Sequence, residues 1–497
     1  MAKTQSISIL SLDVGTSSTR ALLFDATGKA MPDMVSQHTY ELTTSGEGEV
    51  SVDADHLVDV VAQTIDEVLK KAGKLSAPIG AVATDTFWHS LLGVDEHNKP
   101  LTPVITWEDT RAFGAARELR KQFDEKAVHD RVGVRFHASY WPAKLRWLAE
   151  NQPQVFKNVK QWISFGEYLY RKLLGKSVCS LSMASATGLL GIKTRQWDPE
   201  LIKALKVRPE QLPEIGDFKD AIKGLQAEYA KRWPALHDVP WYAPIGDGAS
   251  ACIGTNCVSS ENWSLTIGTS SAIRVVVAPD RLAAPPLGLW QYYIDGKRAV
   301  VGGAMSEGGN LLAWLTESFK LPTLQEAEPL VAALKPDNHG LTILPFLSGE
   351  RSIGWHAEAR MTISGISNHS TPAEILRAGM EALAYRLNVI HSQLLQALDI
   401  KPADHRLMAS GGALFHSPLL RQIIADTLDT SIYPSREQEA SARGVAILAL
   451  EALNVLPEAA ASQPEIKDPT RPNSHDGQIY RKAAARQDTL YHQLLAD

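Results

Sequence analysis

The feature that most restricts the fold is a loop written twice. Leu12 to Arg20 reads LDVGTSSTR and Leu265 to Arg274 reads LTIGTSSAIR, so Gly-Thr-Ser-Ser occurs at Gly15 and again at Gly268. Each copy follows an apolar, strand-like run and precedes another, the pattern of a β-hairpin with the loop at its tip. A chain of 497 residues exceeds what one hydrophobic core supports. Two hairpins of one design, each heading half of the chain, predict two duplicated α/β domains. The boundary falls between about Asn256 and Asn262, giving domains 1–257 and 258–497.

Composition narrows the function. Hydrophobic residues make up 44% and charged residues 21%, ordinary values for a globular protein. A formal charge of −6 gives no attraction for nucleic acid or an anionic membrane. The three cysteines form no CxxC pair, and the opening MAKTQSISILSLD reads as a strand rather than a charged leader. A reduced, cytoplasmic setting is therefore expected. No run of about 18 apolar residues suggests a membrane span.

A tight loop of Gly, Thr and Ser presents backbone N–H groups and hydroxyls to one point and can lie against an anion such as phosphate. One such loop could equally be a plain turn, but two heading two halves point to a shared anionic ligand. The copies differ at one informative place, Asp13 in the first against Thr266 in the second. A Mg²⁺ on nucleotide phosphates wants one or two carboxylates, whereas a second acid beside the other phosphate loop would repel the nucleotide. Two jaws holding one Mg-ATP would need this asymmetry.

Other segments feed the same ends of strands. Ile79 to Thr84 is an apolar strand leading into TFWHS, Val104 to Trp107 leads into EDTR, and Trp241 to Ile245 runs into GDGAS. A helix is expected from Asp53 to Gly73, and another opens at Thr371 with Pro372 and Glu374 as a capping box. No GxxxxGK[ST] occurs. Gly246-Asp247-Gly248-Ala-Ser-Ala251 matches a dinucleotide-binding pattern, but an acid between the glycines would oppose a pyrophosphate. Asp247 is read instead as a functional group at a strand end or as the N-cap of the helix that follows.

These segments, with PAKLRWLAEN, GGAMSEGGNLLAW, LPFLSGER and GGALFHSPLLRQIIAD, occur in the order found in the FGGY carbohydrate kinases, which the chain resembles from end to end. The resemblance implies two duplicated actin-like (ribonuclease H-like) ATPase domains around a central cleft, with ATP and Mg²⁺ as cofactors. It implies Asp247 as the base that takes a proton from the sugar hydroxyl, and Asp13 as the acid holding Mg²⁺. Gly15, Thr16, Ser17, Ser18 and Arg20 match the first phosphate loop, and Gly268, Thr269 and Ser270 the second. Gly309, Gly411 and Gly412 match glycines beside the nucleotide. Trp88, His89 and Trp107 match the sugar site.

Departures from the family pattern occur in GGALFHSPLLRQ, one residue longer than usual and leaving the role of His416 open, and after Glu350-Arg351, where Ser352-Ile353-Gly354 replaces the expected Pro. PLTPVITWEDTRA, FGEYLYRKL and SMASATGLL look most like the gluconate kinase branch. The implied reaction is phosphorylation of D-gluconate to 6-phospho-D-gluconate, with a ketopentose or other polyol as rival substrate and a non-kinase actin-like ATPase as the other class. A sugar acid needs a cation or several donors for its carboxylate. Arg135 and His137, in the segment flanking the implied sugar site, are the candidates, with a solvated loop as the alternative. Arg111 is expected to pair with Glu108 or Asp109. The expected partners are a small sugar or sugar acid and, as in many family members, a second copy of the chain in a homodimer.

Overall fold

The computed structural model describes residues 7–73 and 77–495. Its first sheet begins with the predicted hairpin: β1 (Ser8–Val14) and β2 (Ser18–Phe24) are antiparallel, with Asp13 opposite Arg20. β3 (Ala30–Thr39) extends the meander. The helix α1 (Ala54–Ala72) follows, Asp53 accepting the His56 backbone N–H as its N-cap and Gly73 closing it. β4 (Ile79–Thr86) then returns parallel to β1, and β5 (Ile245–Gly246) lies parallel to β4. The strand order is β5-β4-β1-β2-β3. Immediately after β5 comes the helix α2 (Asp247–Gly254).

The second sheet repeats the plan. β6 (Asn262–Ile267) and β7 (Ser271–Val277) form the second hairpin, β8 (Trp290–Tyr293) and β9 (Ala299–Met305) continue the meander, and the capped helix α3 (Pro372–Leu398) packs against it. β10 (Arg406–Ser410) returns parallel to β6, and β11 (Ile432–Pro434) lies beyond it. The order β8-β9-β7-β6-β10-β11 matches the first sheet, with β8 added on the edge. The duplication foreseen from two loops is thus carried by two sheets of the same winding, the two-domain actin-like fold.

The last core helix, α4 (Ala440–Ala452), crosses back to the first sheet. Its face from Ala442 to Leu450 is buried in one core with Ile9, Phe24, Ala81, Ala83 and Ile253. The Ser11 hydroxyl donates to the Ala442 carbonyl at 2.7 Å, and the Ser250 hydroxyl to that of Ser441 at 2.6 Å. The crossing with α2 is a backbone contact. A Cβ on Gly254 would strike the Ala440 carbonyl, and one on Gly444 the Ser250 carbonyl. Buried Arg443 secures the joint, its guanidinium donating to the carbonyls of Gly28 and Gly254 and to the Ser462 hydroxyl. Among the described residues, no helix is long and apolar enough to cross a membrane.

Candidate active site

Parallel pairing gathers acids at the carboxyl ends of three neighbouring strands. Asp13 on β1 lies in register with Asp85 on β4, Asp85 pairs in turn with Ile245 on β5, and Asp247 is the first residue beyond β5. From its apolar run the strand is expected to end at Thr84, whereas β4 runs on to Thr86 and carries Asp85 into the core. Asp85 is fully buried, and neither carboxylate oxygen has a hydrogen-bond partner. Burial, then the charges of Asp13 and Asp247, push its pKa well above the ordinary value. Asp13 is also raised, by burial, against the pull of Arg20. An orphaned buried carboxylate behind two cleft-facing ones is a donor set that fits a hard divalent cation.

Asp247 is not an N-cap. That place belongs to Gly246, and the Asp247 carboxylate accepts the adjacent Gly248 N–H at 2.7 Å. Burial raises its pKa from 3.8 to about 6, the Gly248 N–H and Arg274 opposing and Asp13 reinforcing the rise. The flanking glycines have a local cause unrelated to any pyrophosphate. A Cβ on Gly246 or Gly248 would land inside the Trp88 indole, which lies against the start of α2.

Trp88, His89, Trp107 and Asp247 line one cavity of about 130 Å³ together with Trp290 and Tyr292. The Trp88 ring packs 4.9 Å from that of Tyr292. His89, at φ 65°, contacts the Ala186 carbonyl through Nδ1 at 2.6 Å, which leaves Nε2 as its other polar edge. Burial lowers its pKa to about 3, so the ring is neutral. The backbone behind it is held by Lys144, whose buried ammonium donates to the carbonyls of His89 at 2.7 Å and Ile105 at 3.4 Å. Burial brings Lys144 down to about 7.

A larger cavity of about 500 Å³ adjoins the first and is lined by Thr16, Ser17, Thr269, Ser270 and Asn310, the two glycine loops facing each other across it. Each loop is closed by a backbone hydrogen bond: the Gly15 N–H donates to the Ser18 carbonyl and the Gly268 N–H to that of Ser270, both at 3.0 Å. Gly309 donates its N–H to Gly268 at 2.7 Å, and Gly411, at φ 95°, lies so close to Ile267 that a Cβ would meet its carbonyl. These two glycines press their backbone on the second loop, and Gly412 opens the short helix to His416, which is exposed. Arg20 bridges acids, its guanidinium 2.9 Å from Glu439 and 3.7 Å from Asp13.

The two candidates for the sugar-acid carboxylate part company. Arg135 does not line the cavity; it is held by Glu125 at 2.9 Å and by the Gly354 carbonyl at 3.0 Å. His137 lines the larger cavity, its Nδ1 accepting the Ser139 N–H at 3.2 Å, and burial and Arg351 hold it neutral. Arg111 pairs with Asp109 at 2.7 Å. The cavity instead draws its cations from Arg274 and Arg351, which end the LTIGTSSAIR and LPFLSGER segments and carry no spacing signal that marks them in the sequence. A separate group of possible metal ligands, Asp337, His339 and Glu381, is claimed by Arg377 on Glu381 and Arg486 on Asp337. An open depression of about 920 Å³ beside Asp55 and Arg171 contains none of the residues above.

The chain is also similar to known proteins. Residues 8–254 match the N-terminal domain, and residues 263–453 the C-terminal domain, of the FGGY family of carbohydrate kinases. A gluconokinase of Bacillus subtilis is 27% identical over 458 residues, covering 89% of this chain and 87% of its own length. A xylulose kinase of Lactococcus lactis is 24% identical over 442 residues, with the same coverage. Among solved structures, gluconate kinase from Lactobacillus acidophilus superposes with a TM-score of 0.91 at 27% identity, covering 99% of both chains. A ligand-bound xylulose kinase from the same organism gives the same score, identity and coverage.

Proposed function

Because the chain belongs to the FGGY family of carbohydrate kinases, we propose that it transfers the γ-phosphoryl group of ATP to the terminal hydroxyl of D-gluconate, giving 6-phospho-D-gluconate and ADP in the cytoplasm. The observation that carries the reading is Asp247, a carboxylate on the wall of a small aromatic cavity that opens toward two facing phosphate loops. Residues 1–257 are assigned to the sugar side and 258–497 to the nucleotide side.

Phosphoryl transfer asks the protein for positioning and charge neutralisation more than for covalent chemistry. Trp88 and Trp107 offer flat apolar surfaces to the C–H faces of the substrate, and His89 offers a neutral polar edge. The hydroxyl placed at Asp247 gives its proton to the carboxylate as its oxygen bonds to the γ-phosphorus. The bond from that phosphorus to the β–γ bridging oxygen breaks, and ADP leaves. A base near 6 is mostly ionised at neutral pH yet basic enough to accept that proton. Asp13, with Asp85 behind it, would hold Mg²⁺, which when bound neutralises the phosphate charges. Backbone N–H groups and hydroxyls of the loops at Thr16 to Ser18 and Gly268 to Ser270 orient the phosphates.

The equal likeness to a solved xylulose kinase makes a neutral ketopentose the specific rival. ADP release by the purified protein with Mg-ATP, across D-gluconate, D-xylulose, D- and L-ribulose, glycerol and erythritol, separates them. Turnover on gluconate that disappears in Asp247→Ala supports the proposal. Turnover on a neutral polyol alone refutes the substrate, and sugar-independent hydrolysis surviving the substitution refutes the kinase.

A further inference from the structure

A sugar acid whose terminal hydroxyl sits at Asp247 must lodge its carboxylate at the other end of the cavity, and burying that charge without a cationic partner is costly. The cations near the site are mostly committed. Arg135 is bound by Glu125, Arg111 by Asp109, and Lys144 by two backbone carbonyls. Arg274 belongs to the phosphoryl end, since its guanidinium reaches the Thr266 hydroxyl at 3.5 Å and lies near enough to Asp247 to favour its ionised form.

Arg351 is different. It projects from the Leu-Ser-Gly-Glu-Arg segment of the second half into the cavity, and its guanidinium lies 5.2 Å from the centroid of the Trp107 ring. Its Nε, like that of Arg274, is buried without a hydrogen-bond partner, but among the described residues neither a hydroxyl nor a carboxylate holds the rest of its guanidinium. The groups close enough to feel its charge are the neutral rings of His89 and His137, the Tyr140 and Tyr292 hydroxyls, and Glu108, which forms no ion pair with it. A guanidinium stacked on an aromatic face, with its fork unclaimed, has the geometry that receives a carboxylate bidentately.

We propose that Arg351 is the specificity-determining residue for the acid end of the substrate, pairing with the carboxylate of a sugar acid whose carbon chain lies along Trp107. The proposal rests on the sugar-acid reading above. It makes recognition of the acid a contact between the two halves, because Trp107 comes from the first and Arg351 from the second.

The test compares D-gluconate with its uncharged analogue D-glucitol, by calorimetric binding in the absence of nucleotide and by kinetics with Mg-ATP. The proteins are wild type, Arg351→Met, Arg351→Gln and Arg351→Lys. Loss of a charge-assisted pair is expected to weaken gluconate binding roughly ten- to hundredfold in the Met and Gln variants. Glucitol binding should change less than about threefold, and Lys should restore part of the difference. Melting temperatures identify any variant that fails to fold, and the remaining ones decide. Equal weakening of both ligands, or a fall in kcat with gluconate affinity intact, overturns the proposal and moves Arg351 to the transferring phosphoryl group. A wild type that prefers glucitol to gluconate overturns the substrate reading and the proposal together. A wild type that prefers gluconate, with an Arg351→Met variant that keeps the preference, removes the arginine alone.

Discussion

Replacing Asp247 by Asn should abolish catalysis and stabilise the protein at neutral pH. In the unfolded chain this carboxyl ionises with an ordinary pKa of 3.8, while in the fold burial lifts it to about 6. A raised acid pKa means that the folded state binds the proton more tightly than the unfolded one. Its penalty is therefore absent below about pH 4, grows as pH rises toward 6, and is complete above it. Each tenfold in the ionisation constant is worth about 1.4 kcal/mol, which puts the full penalty near 3 kcal/mol. The side chain faces a cleft that admits some water, so about 1–3 kcal/mol is the reasonable expectation. Asn keeps the acceptor for the Gly248 N–H, carries no charge and should recover that amount, a rise in melting temperature of about 1–3 °C in a chain this long. Loss of the base should lower kcat by roughly 10²–10⁴. Thermal denaturation at pH 8 and pH 5, beside a coupled ADP assay, reads both effects. A variant less stable than wild type at pH 8, or one whose gain is the same at pH 5, would show that Asp247 is held as a structural anchor, and the reasoning would fail.

Three further outcomes are expected. Gly246→Ala drives a methyl into the Trp88 indole and should cost about 1–3 kcal/mol while raising KM for the sugar more than for ATP, as melting and steady-state kinetics would show. Lys144, lowered to about 7, binds its proton less tightly in the folded state, so stability should climb between pH 7 and 10; Lys144→Met should flatten that climb in melting curves taken at pH 7 and pH 9. Sugar and a non-hydrolysable ATP analogue should close the cleft and reduce the radius of gyration in small-angle scattering, and an unchanged profile would count against closure.

Much of the plan was legible because it is written locally. Both hairpins fall where the repeated loop placed them, since alternation and turn chemistry act over a few residues, and the caps at Asp53 and Thr371 work for the same reason. What escaped depends on distant pairing. Asp85 follows an apolar run and looks like the polar end of a strand; only the register of β4 on β1 sets it beside Asp13. Arg135 is close in sequence to the sugar segment, yet Glu125 captures it one helix earlier, while Arg351 arrives from more than two hundred residues away. The glycines around Asp247 imitate a dinucleotide motif because turn sequences do not say which side chain needs the space.

The return of α4 to the first sheet bears on how the chain comes to be made. The contact between Ser11 and Ala442 spans 431 residues, and the face of the first sheet that receives α4 is apolar. During synthesis that face waits uncovered until nearly the whole polypeptide has left the ribosome, for tens of seconds at ordinary elongation rates. The amino-terminal half is therefore expected not to fold to completion on its own. A truncation at the natural-looking seam near residue 257 would leave a sticky, incomplete module, and adding a peptide spanning Ala440 to Ala452 in trans is the complementation that should rescue its solubility.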